Sequence, residues 1–287
     1  MRWSAGDRGN IEDMRGRSGG GGGMIPLGIG GFIVVALLSM FTGVNFFDVL
    51  GGGSSSSTPN SGAVGTTGRT NASPAEEKLV DMIDAVARDD QEMWSQLLGA
   101  QYQPTRVTLF RDSIQSACGY AGAATGPFYC PGDRKVYLDL GFYDELSQRF
   151  GASGDFAQAY VLAHEIGHHI QTLTGTEAQM RQAQRADPRS ANANSVRLEL
   201  QADCYAGVWG HRASQSGRAA AGGVELDPGD LEEALRAAAA IGDDRLQKLG
   251  TGRVMPEKFT HGTSEQRATW FKRGFDSGDP RQCNTFQ

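Results

Sequence analysis

The chain is short of histidine, of paired cysteines and of positive charge. It has five histidines in 287 residues, four cysteines and a formal net charge of -6. With no basic stripe, a nucleic-acid partner is not expected. Cys118, Cys130, Cys204 and Cys283 include no Cys-x-x-Cys pair, so a cysteine-held zinc is not expected either. No internal repeat of fixed period occurs. The 40 glycines gather in short runs and turns instead of every third position, which excludes a collagen-like chain. What remains, 39% hydrophobic and 21% charged residues, is an ordinary globular balance.

Charge is missing altogether from Ser18 to Phe47. Inside that stretch an apolar run opens at Ile25 and closes at Thr42, long enough for a helix across the roughly 30 Å hydrocarbon layer of a bilayer. Arg2, Arg8, Arg15 and Arg17 precede it, and the next basic residue is Arg69. This asymmetry predicts one transmembrane helix, with the N-terminus cytoplasmic and the rest extracytoplasmic at the cell membrane. The rival is a cleaved signal peptide, but the polar stretch before the run is long and no A-x-A-like site follows. The expected division is a cytoplasmic segment (1–23), an anchor in the lipid bilayer (24–47), a flexible Gly/Ser/Thr linker (48–72) and an extracytoplasmic domain (73–287).

That domain opens on Ser73-Pro74-Ala75-Glu76, an N-cap followed by Pro at the first helical position and an acid at the third. Leu79, Met82, Ile83 and Val86 continue at helical spacing, predicting a helix from Pro74 to about Leu98. "TRVTLF" (105–110) and "KVYLDL" (135–140) predict strands. The second is a candidate edge for an extended peptide to pair with. Further helices are expected over 142–150, 155–172, 191–211 and 230–249, and a last one behind the capping pattern Thr263-Ser264-Glu265-Gln266. The total is an α+β domain, mostly helical with a small sheet.

Three of the five histidines fall in "LAHEIGHHIQ" (162–171). His164, Glu165 and His168 form H-E-x-x-H on a predicted helix. Residues four apart share a helix face, so both imidazoles can bind one zinc ion. Glu165, rotated about 100° from His164, stands beside the metal as a candidate general base. His169 points away from that face and reads as structural or supporting. A catalytic zinc needs a third protein ligand. Gln171 and Thr174 stand where the metzincin pattern has Gly and His, so that class is excluded. Downstream, "RLELQADCYAG" (197–207) sets Glu199 and Asp203 four apart on a helix. Glu199 can be the third ligand, and Asp203 can hold the far nitrogen of a zinc-bound histidine. His261, on a loop before the capped helix, is the candidate donor to a developing oxyanion, and Tyr205, Arg245 and Arg267 could share or take that role. The four cysteines allow three pairings. The turn-rich connection favours Cys118–Cys130, which leaves Cys204–Cys283; the competing possibility is four free thiols.

"FYCPGDRKVYLDL", "AHEIGHHIQ", "ELQADCYAGVW", "IGDDRLQ", "FTHGTSEQR" and the opening "MRWSAGDRGNIEDMRG" resemble a bacterial family of membrane-anchored neutral zinc metallopeptidases. The zinc core is similar to that of gluzincins, in which H-E-x-x-H is followed by a Glu and, four residues on, an Asp. The resemblance implies a zincin-like domain with one zinc per chain and a peptide or protein substrate, and leaves the substrate itself open. Two other readings stand beside it: a catalytically silent zinc-binding or chaperone-like module, and a zinc hydrolase of a cell-wall amide.

Overall fold

A serine opens the first helix: Ser73 Oγ accepts from the Glu76 backbone N–H at 3.2 Å, and Pro74 takes the first helical position. Helix α1 then runs Pro74–Leu98 and buries Val80, Met82, Ile83, Val86 and Trp94. The computed structural model describes residues 1–16, 72–122 and 125–286. Among them the chain forms β1 (Ile11–Asp13), α1, β2 (Arg106–Phe110), β3 (Ser113–Ser116), β4 (Gly119–Gly122), β5 (Phe128–Cys130) and β6 (Lys135–Asp139). The helices α2 (Gly141–Gln148), α3 (Asp155–Thr174), α4 (Thr176–Ala186), α5 (Ala191–Ala213), α6 (Asp230–Ala240), α7 (Asp243–Thr251) and α8 (Ser264–Ser277) follow.

One sheet has the order β1-β2-β6-β5, and β3 and β4 form a separate hairpin. β6 pairs with β2 on one side and β5 on the other, so "KVYLDL" is an inner strand and has no edge to give a peptide. The sequence pattern identified the strand but not its neighbours, and the free edges belong to β1 and β5. The expected helix over 230–249 is two helices, broken at Ile241–Gly242. A Cβ on Gly242 would sit 2.3 Å from the backbone nitrogen of Ser264, so the break is where the start of α8 presses against the chain.

The histidine-bearing helix α3 is the centre of the molecule, with Phe156, Tyr160, Leu162 and Ile166 fully buried. Gly167, inside the H-E-x-x-H motif, lets α3 approach α5 closely. A Cβ there would lie 3.1 Å from the Ala202 backbone. α5 and α8 cross at still closer range, through Gly207 against the Phe271 carbonyl and Gly274 against the Cys204 carbonyl. Two disulfides are present, Cys118–Cys130 and Cys204–Cys283. The first ties the β3–β4 hairpin to β5. The second ties the chain's last turn to the middle of α5.

The single-pass arrangement does not hold. Among the described residues no helix is long and apolar enough to cross a membrane, and the run from Ile25 to Thr42 lies outside the described residues. Residues on both sides of that run also belong to one folded body. β1 pairs in parallel with β2, Ile11 opposite Val107. Arg2 meets Glu225 and Asp227, Arg8 meets Glu77 and Asp81, and Arg15 meets Asp13, Glu76 and Glu77. One crossing between residues 16 and 73 would put β1 and β2 on opposite sides of a bilayer, which their pairing forbids. Three of the four arginines that suggested an inside-positive bias are therefore engaged with carboxylates of the domain itself.

The Arg15 side chain is only 1% exposed, so its charge depends on its three carboxylate partners. Arg15→Ala is expected to destabilise the chain by about 3 kcal/mol, the low end for breaking a buried pair because Asp13 and Glu77 reach solvent. The denaturant midpoint of the full chain measures it. An unchanged midpoint would mean that residues 1–16 are not part of the cooperative unit.

Candidate metal centre

Helical spacing brings the two motif histidines together: His164 Nε2 and His168 Nε2 are 3.2 Å apart. The close α3–α5 contact at Gly167 delivers the third group. Glu199 Oε2 is 3.2 Å from His164 Nε2, and Glu199 Oε1 is 3.5 Å from His168 Nε2. The three side chains form the one His-containing set of potential metal ligands among the described residues. Zinc bonds of about 2.0–2.1 Å in tetrahedral array place ligand atoms about 3.3 Å apart. The observed separations, each to the nearer Glu199 oxygen, are of this size, and two imidazole nitrogens with a carboxylate are a donor set suited to zinc.

Each histidine is oriented by a second bond. His164 Nδ1 donates to Asp203 Oδ1 at 2.8 Å. Asp203, fully buried, also accepts from the Tyr160 hydroxyl at 2.6 Å and from both Nε and Nη2 of Arg267 at 2.9 Å. His168 Nδ1 donates to Gln171 Oε1 at 2.9 Å, and Gln171 Nε2 donates to the Leu198 carbonyl and to Gln201 Oε1. In the sequence, Gln171 speaks only against the metzincin pattern. Its place three residues after His168, on the same helix face, was the signal of this supporting role. Arg267, a possible oxyanion donor by sequence, has its guanidinium committed to Asp203.

The electrostatics of the cluster call for positive charge. Burial opposes a charged ring at His164, yet the neighbouring Asp203 and Glu199 outweigh it and push the ring up to about 10. Burial would raise the Asp203 carboxyl, but Arg267 and then His164 pull it down to about 2. Glu199 is likewise held below the usual carboxylate range, against burial, by His261, His168 and His164. The carboxylates around His164 thus favour a positive charge at this spot, which is the environment a bound cation requires.

Glu165 lines the same cavity and takes no part in the ligand triangle. His261 lines it too. Its loop is gathered around Asp243: Oδ2 accepts the backbone N–H groups of Thr260, His261 and Gly262 at 2.7, 2.7 and 3.1 Å. Asp243 Oδ1 lies 3.1 Å from His261 Nδ1. Burial would lower the His261 ring, but Glu199 and Asp243 hold it above its ordinary value. Arg245 and Tyr205 do not line the cavity: Arg245 donates to the Phe150 carbonyl, and Tyr205 packs edge-on to Trp94. Neither is placed to serve an oxyanion there. His169 faces elsewhere. Burial lowers its pKa, its Nε2–H donates to the Gln103 carbonyl at 2.7 Å, and Nδ1 accepts from the Tyr129 hydroxyl at 3.0 Å.

Residues 1–286 match the protein family described as "Putative neutral zinc metallopeptidase". The chain belongs to that family. Among its relatives, the protein named Uncharacterized protein YpfJ of Escherichia coli strain K12 is 45% identical over 298 aligned positions, covering 100% of this chain and 99% of the relative. Uncharacterized protein Rv2575 of Mycobacterium tuberculosis strain H37Rv is 44% identical over 198 positions, 68% of this chain and 66% of the relative. No solved structure matches. The family description names zinc, and the His164, His168 and Glu199 set has the chemistry and spacing to hold it.

Proposed function

We propose that the chain is a zinc-dependent endopeptidase with one zinc per chain held by His164, His168 and Glu199. The observation that carries this reading is the pair of imidazole nitrogens 3.2 Å apart, each 3.2 to 3.5 Å from one oxygen of the Glu199 carboxylate, opening into a cavity that Glu165 also lines. When bound there, zinc supplies a Lewis acid for the scissile carbonyl and lowers the pKa of a water toward 7.

The chain's own side chains divide the remaining work. Glu165 takes the proton of the attacking water on its carboxylate and returns it to the leaving amine nitrogen. Asp203 keeps His164 in one orientation, and Gln171 does the same for His168. Tyr160 and Arg267 hold Asp203 ionised and fixed, so it does not compete for the catalytic proton. Asp243 takes one face of the His261 ring at Nδ1 and leaves Nε2 for the cavity. From there His261 donates to the substrate oxygen that gains negative charge.

His261→Ala is expected to lower turnover by about 100- to 1000-fold with little change in KM, because the bond forms mainly in the transition state. Steady-state kinetics on a fluorogenic peptide, with zinc content measured in parallel, decide it. Near-normal kcat would remove His261 from the mechanism. Peptide hydrolysis by the full chain, abolished by chelator and restored by zinc, tests the reading as a whole. Release of amines from cell-wall fragments without peptide cleavage would move the activity to a different amide.

A further inference from the structure

The cavity follows one face of α3. Tyr160, Val161, His164, Glu165, His168 and Gln171 all line it. At 1.5 Å per residue this face is about 16 Å long, room for about five residues of extended peptide. Apolar and aromatic groups such as Tyr120, Phe128, Tyr129 and Leu198 also line it, and charge enters at one end. Beyond Gln171 the lining passes to Glu177 and Arg181 of α4, which pair with each other, and Glu177 also accepts from Thr172 Oγ1 at 2.6 Å. Before His164 the lining is Val161 with Phe142, Phe150, Ile241 and Leu246.

These apolar groups come from four separate parts of the chain, yet the fold gathers them. The Tyr143 hydroxyl donates to the Gln158 carbonyl and sets α2 against the start of α3. Arg245 Nη2 donates to the Phe150 carbonyl at 2.9 Å and ties α7 to the loop after α2. Arg267, which grips Asp203 behind His164, reaches the Ile241 carbonyl. The break between α6 and α7 thereby turns Ile241 and Leu246 toward the metal end of the cleft. Phe142, Ile241 and Leu246 are only half-buried, so apolar surface faces the same cavity that His164 and Glu165 line. Leaving such surface wet is unfavourable, and an apolar ligand group covers it.

We propose that this end of the cleft is a specificity subsite, taking a bulky aliphatic or aromatic side chain next to the scissile bond of an extended peptide. Phe142, Phe150, Val161, Ile241 and Leu246 determine that preference. The Glu177–Arg181 end receives the other side of the peptide. The proposal rests on the peptidase reading for the words "scissile bond", but the subsite itself is a matter of binding.

The test uses the zinc-loaded full chain carrying Glu165→Gln, so that ligand persists, and blocked heptapeptides Gly-Ser-Gly-Xaa-Gly-Ser-Gly with Xaa as Phe, Leu, Gly, Asp or Lys. Calorimetry is expected to show the Phe and Leu peptides binding roughly 10- to 100-fold more tightly than the Gly peptide, with Asp and Lys no better than Gly. Leu246→Glu should bring the Phe-to-Gly ratio close to one without loss of zinc. If that variant does not fold, Leu246→Ala should still reduce the ratio several-fold. A Phe peptide that binds no more tightly than the Gly peptide, both undetectable included, overturns the proposal. So does a ratio that neither substitution changes. Cleavage assays with the unsubstituted chain separate the two claims. Cleavage indifferent to Xaa keeps the peptidase and removes the subsite, while selective binding with no cleavage keeps the subsite and removes the peptidase.

Discussion

Glu165→Gln is expected to abolish most peptide hydrolysis, by about 100- to 10,000-fold, while zinc content and stability stay as they are. The substitution keeps shape and removes only the capacity to accept a proton. The residue is well placed for so selective a loss. It adjoins His164 in sequence and lines the cavity, but it is not one of the three groups whose atoms meet at the ligand triangle. Single-turnover kinetics with metal analysis on the same sample give the answer. Unchanged turnover at full zinc content would sink the general-base assignment. Lost turnover together with lost zinc would make Glu165 a contributor to the metal site instead.

The second large effect concerns the metal itself. His164→Ala, His168→Ala and Glu199→Ala each remove one of the three proposed ligands, and each is expected to leave the purified chain essentially without zinc. Gln171→Ala and Asp203→Asn remove only an orienting partner and should weaken zinc binding by about 10- to 100-fold. Competition with a chromogenic chelator ranks all five. The contrast matters more than any single value. A Glu199→Ala chain that holds zinc as tightly as the unsubstituted one would make another residue the third ligand. The Asp203 variant carries a further signature, because Arg267 then loses its buried anion and stability falls along with affinity.

The metal centre was the most legible part of the sequence because its geometry is local. His164 and His168 are four residues apart on one helix, as are Glu199 and Asp203 on another, and helical spacing alone presents each pair on one face. What spacing does not encode is which helix meets which. The α3–α5 contact at Gly167 and Ala202 unites the pairs, and its only trace in the sequence is a glycine inside the motif. The roles of Arg267 and Asp243 were illegible for the same reason: their partners are 64 and 18 residues away. The strand "KVYLDL" was legible as a strand, but its neighbours on both sides are fixed by tertiary pairing. β1 has three residues, too few for any periodicity to show. The membrane topology failed differently. Arginine asymmetry is a rule about charges facing lipid and water, and here the carboxylates of Glu76, Glu77, Asp81, Glu225 and Asp227 had already claimed Arg2, Arg8 and Arg15.

Arg15 Nη1 lies 2.7 Å from Glu76 Oε1, at the very start of α1. The described residues on either side of the stretch 17–71 are therefore held a side-chain pair's length apart. Doubling the length of a connection whose ends are already pinned together costs only about 0.6 kcal/mol. The same geometry suits laboratory grafting: a reporter, an affinity tag or a short bridge of a few residues can be spliced between residues 16 and 73, at a point fixed by the Arg15 cluster and separate from the cleft.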